Sequence, residues 1–93
     1  MQDHILDGYT VLDFTHVLAG PTATRVMAEM GAEVIKVELP PLGDISRMLP
    51  AIKNGRSAYY VQQNRGKKSV SFDAKSDDGQ KIVRDLIAKA DVL

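Results

Sequence analysis

The chain has 93 residues, 44% apolar and 26% charged, and its twelve basic and twelve acidic side chains cancel to a formal net charge of zero. At most one domain fits this length, and the balanced charge gives no bulk attraction to nucleic acid or to an anionic membrane. The absence of cysteine excludes disulfides, thiolate chemistry and Cys-ligated zinc, and it fits a cytoplasmic chain.

No apolar run approaches the ~20 residues of a membrane span. The N-terminus carries Asp3 and Asp7 and has no Lys or Arg before Arg25, the reverse of a secretory leader. Thr10-Val11-Leu12-Asp13-Phe14 is β-rich and reads as a first strand. Ala19-Gly20-Pro21 follows: glycine permits a tight turn, and proline suits the first position of a helix. The helix is expected to run to about Met30, with Ala23, Val26, Met27 and Met30 as its apolar face. Gly31 is placed to end it. Glu33-Val34-Ile35-Lys36-Val37-Glu38 alternates apolar and polar and is a second strand. Strand, helix and strand in ~30 residues form a right-handed βαβ unit.

Leu39-Pro40-Pro41-Leu42-Gly43-Asp44 breaks the pattern, and Asn54-Gly55 signals a turn. Ala58 to Gln62 fits either a short strand or a helical turn. Lys68-Ser69-Val70-Ser71-Phe72-Asp73 alternates and is a third strand. Ser76 is placed to cap a helix from Asp77 to about Ala90, with Ile82, Val83, Leu86, Ile87 and Ala90 on one face. Asp77 and Asp78 at its start and Lys89 near its end suit the helix dipole. Asp91-Val92-Leu93 reads as the opening of a fourth strand, so the chain is expected to be a fragment of a longer α/β protein.

Ligands of open parallel sheets bind beyond the carboxyl ends of the strands, where helix N-termini favour phosphate or carboxylate. The turn His16-Val17-Leu18-Ala19-Gly20-Pro21 holds that place, but it is neither GxxxxGK[ST] nor GxGxxG. A purely structural turn accounts for it as well. His16 is a base, an anion contact or a packing residue, and Asp13 is expected to bond a neighbouring backbone group or an Arg rather than to catalyse. From Ile45 to Phe72 there is no acid, while Arg47, Lys53, Arg56, Arg65, Lys67 and Lys68 stand with Tyr59 and Tyr60. That stretch suits a polyphosphate ligand with a tyrosine stacked on its base, or is a solvated loop. Two histidines twelve positions apart make no metal site.

The run Leu6-Asp7-Gly8-Tyr9-Thr10-Val11-Leu12-Asp13-Phe14-Thr15-His16-Val17-Leu18-Ala19-Gly20-Pro21 resembles the opening of class III CoA-transferases. The likeness continues through Met30-Gly31-Ala32-Glu33-Val34-Ile35-Lys36-Val37-Glu38, Gly43-Asp44 with Arg47, Asn64-Arg65-Gly66-Lys67-Lys68-Ser69, Asp73-Ala74-Lys75-Ser76 and Ala90-Asp91-Val92-Leu93. The family includes formyl-CoA and carnitine CoA-transferases and alpha-methylacyl-CoA racemase.

The resemblance implies an α/β fold. Residues 1–93 would be the N-terminal part of a large CoA-binding domain with a partial Rossmann-like parallel sheet and flanking helices. It implies two interlocked chains, no tightly bound cofactor, and CoA and acyl-CoA thioester as partners, with neither nucleic acid nor membrane. It also implies transfer of CoA between carboxylic acids through an anhydride on an aspartate beyond residue 93, or proton transfer in the racemase branch. No catalytic residue is therefore assigned here. By resemblance, a CoA-contacting turn matches His16, Val17, Leu18 and Ala19, and a second contact segment matches Phe72, Asp73, Ala74 and Lys75. Lys75 would pair with a CoA phosphate and Phe72 flank the adenine. Some members carry Arg just after the second strand, where this chain has Leu39, and some formyl-CoA transferases carry Gln in place of Leu18. The rivals are a dinucleotide-binding oxidoreductase domain, with Glu38 on a ribose, and a small nonenzymatic nucleotide-binding or interaction module complete in 93 residues.

Overall fold

The computed structural model describes residues 4–50 and 52–93, so Asp3 lies outside the described residues. Three strands form a parallel sheet in the order β1, β2, β5, with β1 at Thr10–Asp13, β2 at Glu33–Glu38 and β5 at Lys68–Ser71. Val11 pairs with Val34 and Asp13 with Lys36, and on the other side of β2 Ile35 pairs with Lys68 and Glu38 with Ser71. Helix α1 (Ala19–Glu29) links β1 to β2. The longer link from β2 to β5 holds a 3-10 turn (Ile45–Met48), a hairpin of β3 (Ile52–Lys53) and β4 (Arg56–Ser57), and helix α2 (Ala58–Asn64).

Thus the Asn54-Gly55 turn closes a hairpin, and the ambiguous segment at Ala58 is helical, started by the Ser57 hydroxyl accepting from the Tyr60 N–H. Helix α3 (Asp77–Lys89) begins at Ser76, whose hydroxyl accepts from the Gly79 N–H at 2.9 Å. After α3 the chain reaches β1 again: Val92 makes a parallel bridge to Val11 and its carbonyl accepts from the Leu12 N–H at 2.9 Å, as the opening of a further strand would. Among the described residues no helix is long and apolar enough to cross a membrane.

Successive side chains of a strand face opposite sides of the sheet. Val11 and Val34 therefore share a face with Asp13, Lys36 and Glu38. The N-terminal half of this face is the apolar core, where Val11, Ala32 and Val34 pack with Leu6, Met27 and Ala28. Its C-terminal half is ionic, yet just as buried. The alternation in β2 marks a strand, but Lys36 and Glu38 do not face solvent: they are 1% and 3% exposed.

The same polar zone shifts the buried face of α1. Pro21 and Thr24 are buried and Met27 and Ala28 pack on the core, whereas Ala23, Val26 and Met30 are exposed. The cause is the Thr24 hydroxyl, which turns inward to donate to Asp13 Oδ2 at 2.7 Å. Pro21 is the third helical residue, not the first; its missing N–H still falls among the unpaired donors of the first turn.

Candidate functional site

All three parallel strands end at the same edge of the sheet. The turn after β1 carries His16, Val17, Leu18 and Ala19. The Leu18 N–H donates to the His16 carbonyl at 3.1 Å, closing a three-residue turn around Val17 at φ 69°. Left-handed backbone at a β-branched residue costs about 1–3 kcal/mol and persists only when its surroundings impose it. Here Val17, not the glycine that follows, takes the special conformation. Gly20 is needed for another reason: a Cβ there would stand 2.3 Å from the Thr15 Cβ. No side chain caps the start of α1, and Leu18 is 52% exposed.

Beneath this turn runs a continuous polar network. Asp44, fully buried, accepts from the Val17 N–H at 3.2 Å, the Ser46 N–H at 2.9 Å and Lys36 Nζ at 2.7 Å. Lys36 Nζ also donates to the Thr15 carbonyl at 3.1 Å and to Asn64 Oδ1 at 2.9 Å. The same Asn64 oxygen accepts from Lys67 Nζ at 2.8 Å, which in turn binds Asp13 Oδ2 at 2.9 Å. Asp13 thus bonds Thr15, Thr24 and a lysine rather than an arginine. Burial works to raise the carboxyls of Asp13 and Asp44, but their hydrogen bonds outweigh it. Asp13 is held below its ordinary value, and Asp44 is lowered to about 2. Burial lowers the Lys67 ammonium despite Asp13. The His16 Nδ1 lies 3.9 Å from Asp44 Oδ1.

Glu38 is the hub of a second cluster. It accepts from Arg47 Nε and Nη2 at 2.8 and 2.7 Å, the Asp44 N–H at 2.8 Å, the Tyr60 hydroxyl at 3.0 Å and the Ser69 hydroxyl. Against the opposing pull of burial, these donors keep its carboxyl well below the usual range. Glu38 is therefore inside the fold and does not present itself to a ribose. The Arg47 guanidinium lies 3.9 Å from the Tyr60 ring centroid. Burial first, and then Glu38, push the Tyr60 hydroxyl up.

The basic stretch also reads differently in three dimensions. Four of its six cations are spent on acids outside it: Arg47 on Glu38, Arg65 on Glu29, Lys67 on Asp13 and Lys68 on Glu33. One face of Tyr60 is already covered by Arg47. Sequence spacing could not reveal these partners, since each lies at least nine residues away.

The segment Phe72, Asp73, Ala74 and Lys75 follows β5. The Asp73 carboxylate accepts from the Lys75 N–H at 2.9 Å, and the Ser76 hydroxyl donates to the Asp73 carbonyl at 2.8 Å. A cleft of about 290 Å³ is lined by Asp73 and Lys75 on one side and by Leu39 and Pro40, just past β2, on the other. Phe72 is half-buried and Ala74 likewise, outside the cleft lining. The turn at residues 16–19 follows β1, on the other side of β2 from β5 and its segment. Among the described residues, no group of three or more His, Asp or Glu side chains is arranged to hold a metal ion.

Residues 6–93 match the family described as CoA-transferase family III. The chain belongs to that family. The formyl-CoA:oxalate CoA-transferase of Bradyrhizobium sp. (strain ORS 278) is 47% identical over 89 residues, 95% of this chain but 21% of that protein. The Rhodopseudomonas palustris (strain BisA53) enzyme of the same name is 46% identical over the same share. The chain thus spans about a fifth of the length of these relatives. Among solved structures, a CaiB/BaiF family protein from Brucella suis superposes with a TM-score of 0.88 at 38% identity, covering 98% of this chain and 25% of that one. The Mycobacterium tuberculosis protein Rv3272 gives 0.84 at 42% identity, covering 97% and 25%. For this family III chain, Lys36, Asp44 and Asn64 are the polar residues that spacing failed to single out, while Lys67 stands in the basic stretch. Their one further sequence signal is that Lys36, Asp44, Asn64 and Lys67 all fall inside the motifs that carry the family likeness.

Proposed function

We propose that this chain builds the first part of the CoA cradle of an enzyme that transfers CoA between carboxylic acids. The turn at His16, Val17, Leu18 and Ala19 and the segment Phe72, Asp73, Ala74 and Lys75 are its contact surfaces. The observation that carries the reading is the cleft between Leu39-Pro40 and Asp73-Lys75, set at the carboxyl end of parallel strands, where such sheets take their ligands. Lys75 is the one cation on its lining and would meet a phosphate of the nucleotide half. The uncapped N–H groups of α1 offer donors to a second polar group of the carrier. Leu39 takes the place of the arginine found in some members, which leaves this side of the cleft apolar.

The chemistry itself belongs to an aspartate outside the chain. Its carboxylate oxygen attacks the acyl-CoA carbonyl and the CoA thiolate leaves, giving an enzyme anhydride. The thiolate then attacks the aspartyl carbonyl and the donor acid leaves; the acceptor carboxylate displaces the thiolate to give a second anhydride, and the thiolate attacks its acceptor carbonyl, releasing acceptor acyl-CoA and the free aspartate. Under this reading the protein works in the cytoplasm as an interlocked homodimer with a Rossmann-like large domain, and CoA acts as cosubstrate rather than as a resident group.

Calorimetric titration of the full-length protein with CoA tests this. Saturable heat is expected, and Lys75→Ala should weaken binding about tenfold, the loss of one charge-assisted contact. A full-length protein that gives no heat with CoA or acyl-CoA would overturn the reading.

A further inference from the structure

The strained turn at Val17 carries exposed side chains on both sides, with Leu18 52% exposed and His16 exposed, and Val17 itself is half-buried. What imposes it comes from beneath. The Val17 N–H points at both oxygens of Asp44, at 3.2 and 3.4 Å. Asp44 is itself fixed by Lys36, the Ser46 N–H and its own N–H on Glu38. The Lys36 ammonium also grips the Thr15 carbonyl, so one buried ion pair holds the chain on both sides of His16. Backbone strain over-determined by a buried charge, at an exposed turn, is the mark of a surface kept in shape for a ligand.

Resting on the cradle reading above, we infer that Asp44 is a positioning residue. Its buried carboxylate fixes the Val17 turn and, through it, the surface that His16 to Ala19 offers to CoA. Asp44 touches no reacting atom and acts only through the backbone it holds.

Two double variants of the full-length protein separate this role from simple stability. Both remove the charge pair, and such replacements are often tolerated in a fold. Lys36→Met with Asp44→Asn keeps an amide oxygen for the Val17 N–H, whereas Lys36→Met with Asp44→Leu removes it. The first is expected to bind CoA within about threefold of wild type. The second should bind at least about tenfold more weakly, with the loss in KM for acyl-CoA rather than in kcat. Equal CoA affinity in the two variants overturns the inference, whatever their melting temperatures.

Should the leucine variant not fold, amide hydrogen exchange of the wild-type protein decides. The Val17 amide is expected to be protected without ligand, and exchange at the rate of an open loop overturns the clamp. A wild-type protein that ignores CoA but protects Val17 brings down the cradle reading and leaves the clamp standing. A wild-type protein that binds CoA with an unprotected Val17 does the opposite.

Discussion

Arg47 grips Glu38 with two nitrogens, Nε at 2.8 Å from Oε1 and Nη2 at 2.7 Å from Oε2, and joins the end of β2 to the 3-10 turn. The Glu38 side chain is nearly inaccessible while the Arg47 side chain remains 41% exposed. Solvent screens the pair less than it would at a surface, and the paired geometry is the strong one for Arg and carboxylate. Arg47→Met removes two donors from a buried charge. It is expected to destabilise the full-length protein by about 2–3 kcal/mol, read as a shift in the denaturant midpoint, with Arg47→Lys recovering only part of it.

Acid should loosen the same region. Asp13, Glu38 and Asp44 all have folded carboxyls held below their ordinary values of 3.8, 4.5 and 3.8. The unfolded chain therefore binds more protons than the folded one in this range, and stability falls as pH falls. Their contribution is complete above about pH 5, declines through the ordinary values, and for Asp44 is lost near pH 2. Melting temperature of the full-length protein against pH is expected to be flat above pH 5 as far as these groups are concerned, and to drop below it. A profile level down to pH 3 would contradict the depressed values.

Asn64 Oδ1 serves two ammonium groups at once, Lys36 at 2.9 Å and Lys67 at 2.8 Å. Asn64→Leu leaves both cations short of an acceptor inside the fold. The expected loss is about 2–4 kcal/mol, measured by denaturant titration. A double-mutant cycle with Lys67→Met should show strong coupling, since both act on one oxygen.

Gly79 lies against the second contact segment. A Cβ there would stand 1.8 Å from the Asp73 carbonyl oxygen, which cannot move without shifting residues 73–76. Gly79→Ala is expected to cost about 1–3 kcal/mol by overpacking and to weaken CoA binding in the titration described above. Unchanged affinity would separate this loop from the cradle.

The 93-residue chain by itself is expected to fold poorly. Among the described residues the buried hydrophobic side chains are Val11, Leu12, Ala32, Val34 and Val37, while Ile82, Ile87, Val61 and Ile52 stay exposed. The radius of gyration of 13.7 Å exceeds the roughly 12 Å of a compact domain of this length. Scanning calorimetry of the isolated chain should give no sharp cooperative transition; a two-state melt as a monomer would refute this.

The fold was legible wherever local chemistry decides it. Periodicity marked β1, β2 and β5, Ser76 marked the start of α3, and Asn54-Gly55 marked the hairpin turn. Gly31, at φ 105°, follows α1 where a helix end was expected. The turn at Val17 was marked by its place between strand and helix, the segment at Lys75 by family likeness alone, and both follow the carboxyl ends of strands. What escaped was set by distance in the chain. The alternation of β2 gave no sign that Lys36 and Glu38 are buried, because their partners Asp44, Arg47, Asn64 and Ser69 arrive from the later link, from α2 and from β5. The inward turn of Thr24 toward Asp13 moved the buried side of α1 for the same reason.

The relay from Asp13 through Lys67, Asn64 and Lys36 to Asp44 carries a consequence for how sequences of this kind drift apart. Each member neutralises or hydrates the next, and replacing one alone strands an ion away from water. Exchanges at these five positions should therefore travel together, with a lost acid matched by a lost amine elsewhere in the string, whereas exposed neighbours such as Lys53 and Arg56 are free to vary singly.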